Sequence, residues 1–170
     1  MLKIALPNGT MEKQAVKLFE KLGIVLHKNP RQYQVKTNDP RVACVVFMKP
    51  HIIPYVVGRG SCDLGITGSD CVAEADDCPS VTLARLKYGK TNKHNWRLVL
   101  FGGQNDPANS LSDIKDGVTI LSEYPRITKI FFEEAGKRVK IYFSHGTTEA
   151  NVPDDFPYGV GITSSGNTLK

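Results

Sequence analysis

Short apolar or β-branched runs alternate with segments of helical period along the whole chain, and glycine or proline marks most of the junctions. That alternation is the strongest constraint on the fold, because it calls for largely parallel or mixed sheets with helices laid against them. Leu2 to Leu6 is the first run, and it ends at Pro7-Asn8-Gly9. Ala15, Val16, Phe19 and Leu22 then recur at helical spacing, with Lys13, Lys17 and Lys21 on another face. Thr10 is placed to cap this helix and Gly23 to end it. Tyr33 to Thr37 alternates like a strand, and the β-branched run Val42 to Met48 reads as a buried one. Pro50 stands near the first turn of a second helix, whose apolar face is Ile52, Ile53, Val56 and Val57.

Asp63 to Thr67, Val81 to Leu86, and Trp96 to Phe101 also read as strands. Ser110 and Asp113 have the spacing of a capping box. Beyond them come a strand at Val118 to Leu121 and a helix from Pro125 to Ala135, stopped by Gly136, with Ile127, Ile130, Phe131 and Ala135 inward. Val139 to Phe143 and Tyr158 to Ile162 are the last strands, and Ser164 to Lys170 begins a final helix. The irregular stretch from Lys87 to Asn95 marks a boundary between two lobes, residues 1–93 and 94–170, which would leave a cleft between them. No internal repeat is visible.

Composition narrows the function. At 41% hydrophobic, 170 residues can bury a real core. No apolar run approaches the length of a membrane span, and the N-terminus lacks the pattern of a signal peptide, so a cytoplasmic protein without membrane attachment is expected. Cys44, Cys62, Cys71 and Cys78 form no Cys-x-x-Cys pair, which argues against structural zinc and for reduced thiols. The net charge of +5 reads first as a solubility feature, and next as a match for a polyanionic small substrate or, more weakly, nucleic acid. Lys87, Lys90, Lys93, His94 and Arg97 make its one dense cluster, but no nucleic-acid-binding motif accompanies them.

Three strand-to-helix junctions carry the chemistry. They are Pro7-Asn8-Gly9-Thr10, Ile66-Thr67-Gly68-Ser69-Asp70, and Ile162-Thr163-Ser164-Ser165-Gly166-Asn167-Thr168. Backbone N–H groups at a helix start favour an anion, small residues allow close approach, and hydroxyls add donors. Each junction alone reads more readily as an ordinary cap than as a ligand site. The third is the richest in donors. In His145-Gly146-Thr147-Thr148-Glu149, two readings stay open: a ligand-facing loop, or Thr147 capping a short helix with Glu149 in its first turn. No nucleophile elbow, His-Glu-x-x-His or Walker loop is present.

Taken together, these segments resemble the ATP phosphoribosyltransferase family. Phe47 to Val56 is similar to its basic-Pro-x-Asp-Ile-Pro-x-Tyr-Val stretch, and Gly60 to Asp70 matches its most recognisable motif almost position for position. Glu123-Tyr124-Pro125-Arg126-Ile127-Thr128 resembles its Tyr-Pro-x-Leu-Thr segment, Gly146 to Glu149 its Gly-Ser-x-Glu, and Thr163 to Leu169 its phosphate loop. The five follow in the family's order across nearly the whole chain.

The resemblance implies a two-lobed α/β fold like the periplasmic binding proteins, with mixed and parallel sheets. It implies a Mg²⁺-dependent transfer in which N1 of ATP attacks C1 of phosphoribosyl pyrophosphate (PRPP), the opening step of histidine biosynthesis. By the same resemblance Glu149, Thr163, Ser164, Ser165, Gly166, Asn167 and Thr168 bind PRPP, and Asn8, Lys49 and Asp70 lie on the ATP side. No residue is assigned a catalytic role or a place on the metal. A homo-oligomer is expected, with a histidyl-tRNA-synthetase-like regulatory subunit as a further partner. The chain reads as a short-form member whose C-terminal return segment is missing. It also departs from the family's pattern: Asn8 and Thr10 replace a Lys and an Arg, and Pro157 and Gly161 replace two acids. The alternative is therefore a non-catalytic relative that binds a nucleotide or phosphosugar, or acts as a subunit partner.

Overall fold

Strand and helix alternate within two separate units, Met1–Asn92 and Lys93–Lys170. The computed structural model describes residues 1–29, 32–86 and 97–163. The first unit runs β1 (Leu2–Pro7), α1 (Glu12–Lys21), β2 (Gln34–Val35), β3 (Val42–Met48), α2 (Ile53–Gly58), β4 (Leu64–Gly65) and α3 (Ser69–Glu74). Its sheet has the order β2-β3-β1-β4, with β1, β3 and β4 parallel and β2 antiparallel to β3. The second unit runs β5 (Arg97–Gly102), β6 (Thr119–Ser122), α4 (Pro125–Glu134), β7 (Lys140–Phe143) and β8 (Tyr158–Thr163). Its order is β5-β8-β6-β7, with β6, β7 and β8 parallel and β5 antiparallel to β8.

Both sheets share one plan that no sequence repeat announces. From β1 the chain passes through α1 to β3 on one side, then through α2 to β4 on the other side of β1. From β6 it passes through α4 to β7, then to β8 on the other side of β6.

The central strands are apolar because both faces are covered. Along β1, Ile4 and Leu6 join a core with Ala15 and Phe19 of α1 and Val35, Val45 and Phe47, while Ala5 between them packs with Ile53 of α2 and Cys62. This is the two-residue alternation of a strand with a helix on each side. Gly65 of β4 lies so close to α2 that a Cβ there would stand 2.4 Å from Ile53 Cγ2. In the second unit Ile120, Phe132 and Val160 form the core.

Several expectations need correction. Residues Gly9–Met11 form a 3-10 turn with Met11 at the N-cap of α1, so Thr10 does not cap the helix. Leu22 is exposed, and Gly23 ends the helix with φ +74°. In α4 the buried residues are Thr128 and Phe132, whereas Ile130, Phe131 and Ala135 face out. The buried hydroxyl pair Ser122 Oγ···Thr128 Oγ1 (2.8 Å) sets the helix phase, and Phe132, one turn on, falls on the same face. Val81 to Leu86 is not a strand: it is irregular, with Val81 83% and Leu83 76% exposed. β-propensity yields a strand only beside a partner, and no described strand pairs with this segment. The Ser110–Asp113 capping box is present, with the Ser110 N–H donating to Asp113 Oδ2 at 2.9 Å. Most of the Lys87–Arg97 cluster, and the helix expected from Ser164, lie outside the described residues. No helix among the described residues is long and apolar enough to cross a membrane.

Candidate functional site

In open α/β sheets a crevice forms outside the carboxyl ends of neighbouring strands whose connections leave in opposite directions. The shared plan creates one such edge in each unit, between β1 and β3 and between β6 and β7.

At the first edge Pro7 and Met48 are register partners, so Asn8 and Lys49 leave the sheet side by side. The Asn8 N–H donates to the Met48 carbonyl at 2.8 Å. Next to them opens a cavity of about 320 Å³, lined by Asn8, Gly9 and Lys49 and also by Glu12, Lys28 and Phe47. Asn8 Oδ1 is buried and has no hydrogen-bond partner among the described residues. Lys28 forms an ion pair with Glu12 and places its ammonium 4.2 Å from the centre of the Phe47 ring. Two of the three expected ATP-side residues thus share one cavity. The third, Asp70, stands on the connection after β4 and does not line it. Its carboxylate folds back over Gly68, where a Cβ would lie 2.0 Å from Asp70 Oδ1. The Thr67 hydroxyl donates to the Pro50 carbonyl at 2.7 Å and ties this connection to the one after β3. The neighbouring Cys71 thiol is pushed up to about 11 by burial and by Asp70, so it stays protonated and unreactive near neutrality.

At the second edge a hydroxyl network joins the strand ends. Ser122 Oγ accepts from the Tyr124 N–H (2.9 Å), and the Ser144 N–H donates to the Ser122 carbonyl (2.8 Å). Buried Thr148 Oγ1 lies 3.0 Å from Ser144 Oγ and 3.4 Å from Glu123 Oε1. Of the two readings for this loop, the short-helix one applies in part. Thr148–Asn151 is a 3-10 turn with Glu149 in its first turn, but Thr147, at φ +52°, makes no side-chain cap. Its hydroxyl donates to the Gly146 carbonyl instead, at 2.7 Å. Glu149 is exposed, and Thr163 is buried at the end of β8. Ser164, Ser165, Gly166, Asn167 and Thr168 lie outside the described residues.

Sequence reasoning missed Glu12, Lys28 and Phe47 at the first edge, and Glu123 at the second. Lys28 reaches its cavity from the connection after α1, a juxtaposition with no local signature. Glu123 opens the segment that resembles Tyr-Pro-x-Leu-Thr, and only its contact with Thr148 sets it apart.

Burial, and to a lesser degree the charge of Glu149, hold the Glu123 carboxyl above the usual glutamate range, against the Thr148 hydrogen bond. The folded chain therefore keeps the Glu123 proton to a higher pH than the unfolded chain does. Stability from this group is full below the unfolded value and is lost as pH rises through the folded one. Glu123→Gln is expected to remove that decline. Denaturant midpoints measured from pH 4 upward check this, and an unchanged pH slope counts against it.

The fold and these two strand-end edges define a two-unit α/β protein of the periplasmic-binding-protein-like class. The chain matches the family model of ATP phosphoribosyltransferase (HisG) over residues 49–170, and it belongs to that family. It is 32% identical, over 99% of its length, to an ATP phosphoribosyltransferase of Pelotomaculum thermopropionicum (strain DSM 13744 / JCM 10971 / SI). It is 34% identical, over its full length, to one from Nitratidesulfovibrio vulgaris (strain DSM 19637 / Miyazaki F). The chain spans 57% of the length of both relatives. Among solved structures, the ATP phosphoribosyl transferase (HisG:HisZ) complex from Thermotoga maritima superposes with a TM-score of 0.80 at 22% identity, covering 99% of this chain and 77% of that one. That likeness shows the fold, which is the class expected from the sequence.

Phosphoribosyl transfer in this family generally needs a divalent metal. No group of three or more His, Cys, Asp or Glu side chains suited to a metal occurs among the described residues.

Proposed function

We propose that this chain carries out ATP phosphoribosyl transfer, the first step of histidine biosynthesis. The observation that carries the reading is the family match over residues 49–170. The N1 lone pair of ATP forms the new bond to C1 of PRPP, the C1–O bond to pyrophosphate breaks, and its electron pair leaves with pyrophosphate. The reading gives the first unit ATP, held by Asn8 and Lys49 with Asp70 alongside. The second unit takes PRPP, with Glu149 toward the ribose and Thr163 to Thr168 around the 5-phosphate.

Such a reaction needs no covalent enzyme intermediate. The chain's work is to orient two polyanions and to complement the charge that develops on the leaving group. Lys49 supplies a positive charge, and the hydroxyl network that fixes Glu123 and Thr148 keeps the turn bearing Glu149 in place. Mg²⁺ is the ion this reading expects on the substrates' phosphates, where it supplies charge neutralisation, and Glu123 and Glu149 are the carboxylates that would complete its shell. The reading also includes a cytoplasmic location, a homo-oligomer and, by likeness to the HisG:HisZ complex, a regulatory partner.

A specific observation favours a second reading, a non-catalytic relative that binds a nucleotide or phosphosugar. Position 161 holds Gly where the family carries an acid, although a Cβ there would make only ordinary contact with Phe101 Cε1 at 3.6 Å. Packing at the Cβ therefore does not forbid an acid at this position. Pyrophosphate release from ATP plus PRPP with Mg²⁺, at high protein concentration, decides between the two. We expect release only when both substrates are present. No release with retained ligand binding selects the second reading, and neither release nor binding rejects both.

A further inference from the structure

We propose that Lys28 is the cation that meets the phosphate chain of a nucleoside triphosphate in the first-unit cavity, and that Glu12 is the counter-ion those phosphates displace from it. This rests on the nucleotide reading of that unit.

Lys28 is held by two contacts of different kinds. Its ammonium pairs with Glu12, from the first turn of α1, and it stands 4.2 Å from the centre of the buried Phe47 ring. The side chains are 24% and 29% exposed, so water screens this pair less than one on the open surface. A free lysine loses rotamer entropy when it is fixed. Here the Phe47 ring, which stays in place when Glu12 is displaced, already keeps the ammonium at the cavity wall, which is preorganisation for a ligand.

The lining selects the ligand's charge. Two ammonium groups, Lys28 and Lys49, and one carboxylate, Glu12, line this cavity of about 320 Å³. A singly charged anion would offer Lys28 no more than Glu12 already does, so the exchange favours a ligand of higher charge. The Asn8 amide also belongs to the lining. Gly9 passes the cavity at φ +72° with nothing within 4 Å of where a Cβ would be, so the wall is open there. A ligand of several charges, such as the phosphate chain of a nucleoside triphosphate, meets the charge condition.

The test is calorimetric titration of ATP, adenosine and inorganic triphosphate into the unsubstituted chain, Lys28→Met and Glu12→Gln. Methionine keeps an unbranched stem against Phe47 and removes the charge. We expect Lys28→Met to weaken ATP and triphosphate about 10- to 100-fold, the loss of one charge-assisted contact, and to leave adenosine within about 2-fold. Glu12→Gln releases Lys28 and removes a like charge, so ATP should bind several-fold tighter. Equal losses for ATP and adenosine in Lys28→Met, or no loss, overturn the assignment while leaving the nucleotide reading intact. Should Lys28→Met fail to fold, Glu12→Gln decides: tighter ATP binding supports the exchange, and unchanged or weaker binding overturns it. If the unsubstituted chain binds neither ATP nor adenosine, the nucleotide reading falls and the Lys28 assignment with it.

Discussion

Phe47→Ala is expected to destabilise the first unit by about 3–5 kcal/mol, the range for truncating a buried aromatic. Phe47 is 2% exposed and packs in the core with Leu6, Val35 and Val45. A domain's whole stability is about 5–15 kcal/mol, so this variant stands close to unfolding. The check is the denaturant midpoint at unchanged slope. Phe47→Leu keeps most of the volume and should cost less than about 1.5 kcal/mol, while removing the ring face beneath Lys28. If Phe47→Leu holds its stability and loses ATP affinity, the ring's contribution to the cavity is separated from its contribution to the core. A Phe47→Ala loss below about 1 kcal/mol would falsify its placement, since core truncations of this kind do not come so low.

Gly159→Asp and Gly161→Asp should differ sharply, although the two positions are neighbours on one face of β8. A Cβ at 159 would meet Phe101 Cζ at 2.6 Å and Thr148 Cγ2 at 3.0 Å. The aspartate there would overpack a buried site and bring in a carboxylate without a partner, so a loss of about 3 kcal/mol or more is expected. At 161 the nearest atom is Phe101 Cε1 at 3.6 Å, and the position is only partly buried. A change within about 1 kcal/mol is expected there, as for substitutions away from the core. Thermal midpoints of the two variants test the contrast. Similar losses would mean that the spacing between β8 and Phe101 is not as described. Gly161→Asp also restores an acid two residues before Thr163, so its pyrophosphate release can be compared directly with that of the unsubstituted chain.

The sequence was most legible where local pattern and tertiary environment agree. Val42–Met48 is a strand because a β-branched run with both faces covered has no competing period. The helices at α1 and α4 follow from their spacing, but the phase of α4 does not. Ile130 and Phe131 look like core residues on any hydrophobicity scale, and the helix turned instead to the side that satisfies Ser122 and Thr128. Val81 to Leu86 has the alternation of a strand and lacks a described neighbour to pair with, which sequence alone cannot reveal. In the candidate site, Asn8 and Lys49 were readable because strand-to-helix junctions carry local marks. Glu12 and Lys28 were not, because their meeting depends on how the connection after α1 packs over β3.

The antiparallel pairing of β5 with β8 bears on how the chain comes off the ribosome. Among the described strands β5 has one ladder partner, and Arg97 must wait for Thr163, about 66 positions later (163 less 97). At ordinary translation speeds of about 5–20 residues per second, the Leu98–Phe101 stretch spends roughly 3 to 13 s without a mate. For that interval an apolar edge is open to any other nascent chain, and chaperone demand should concentrate on this half of the polypeptide.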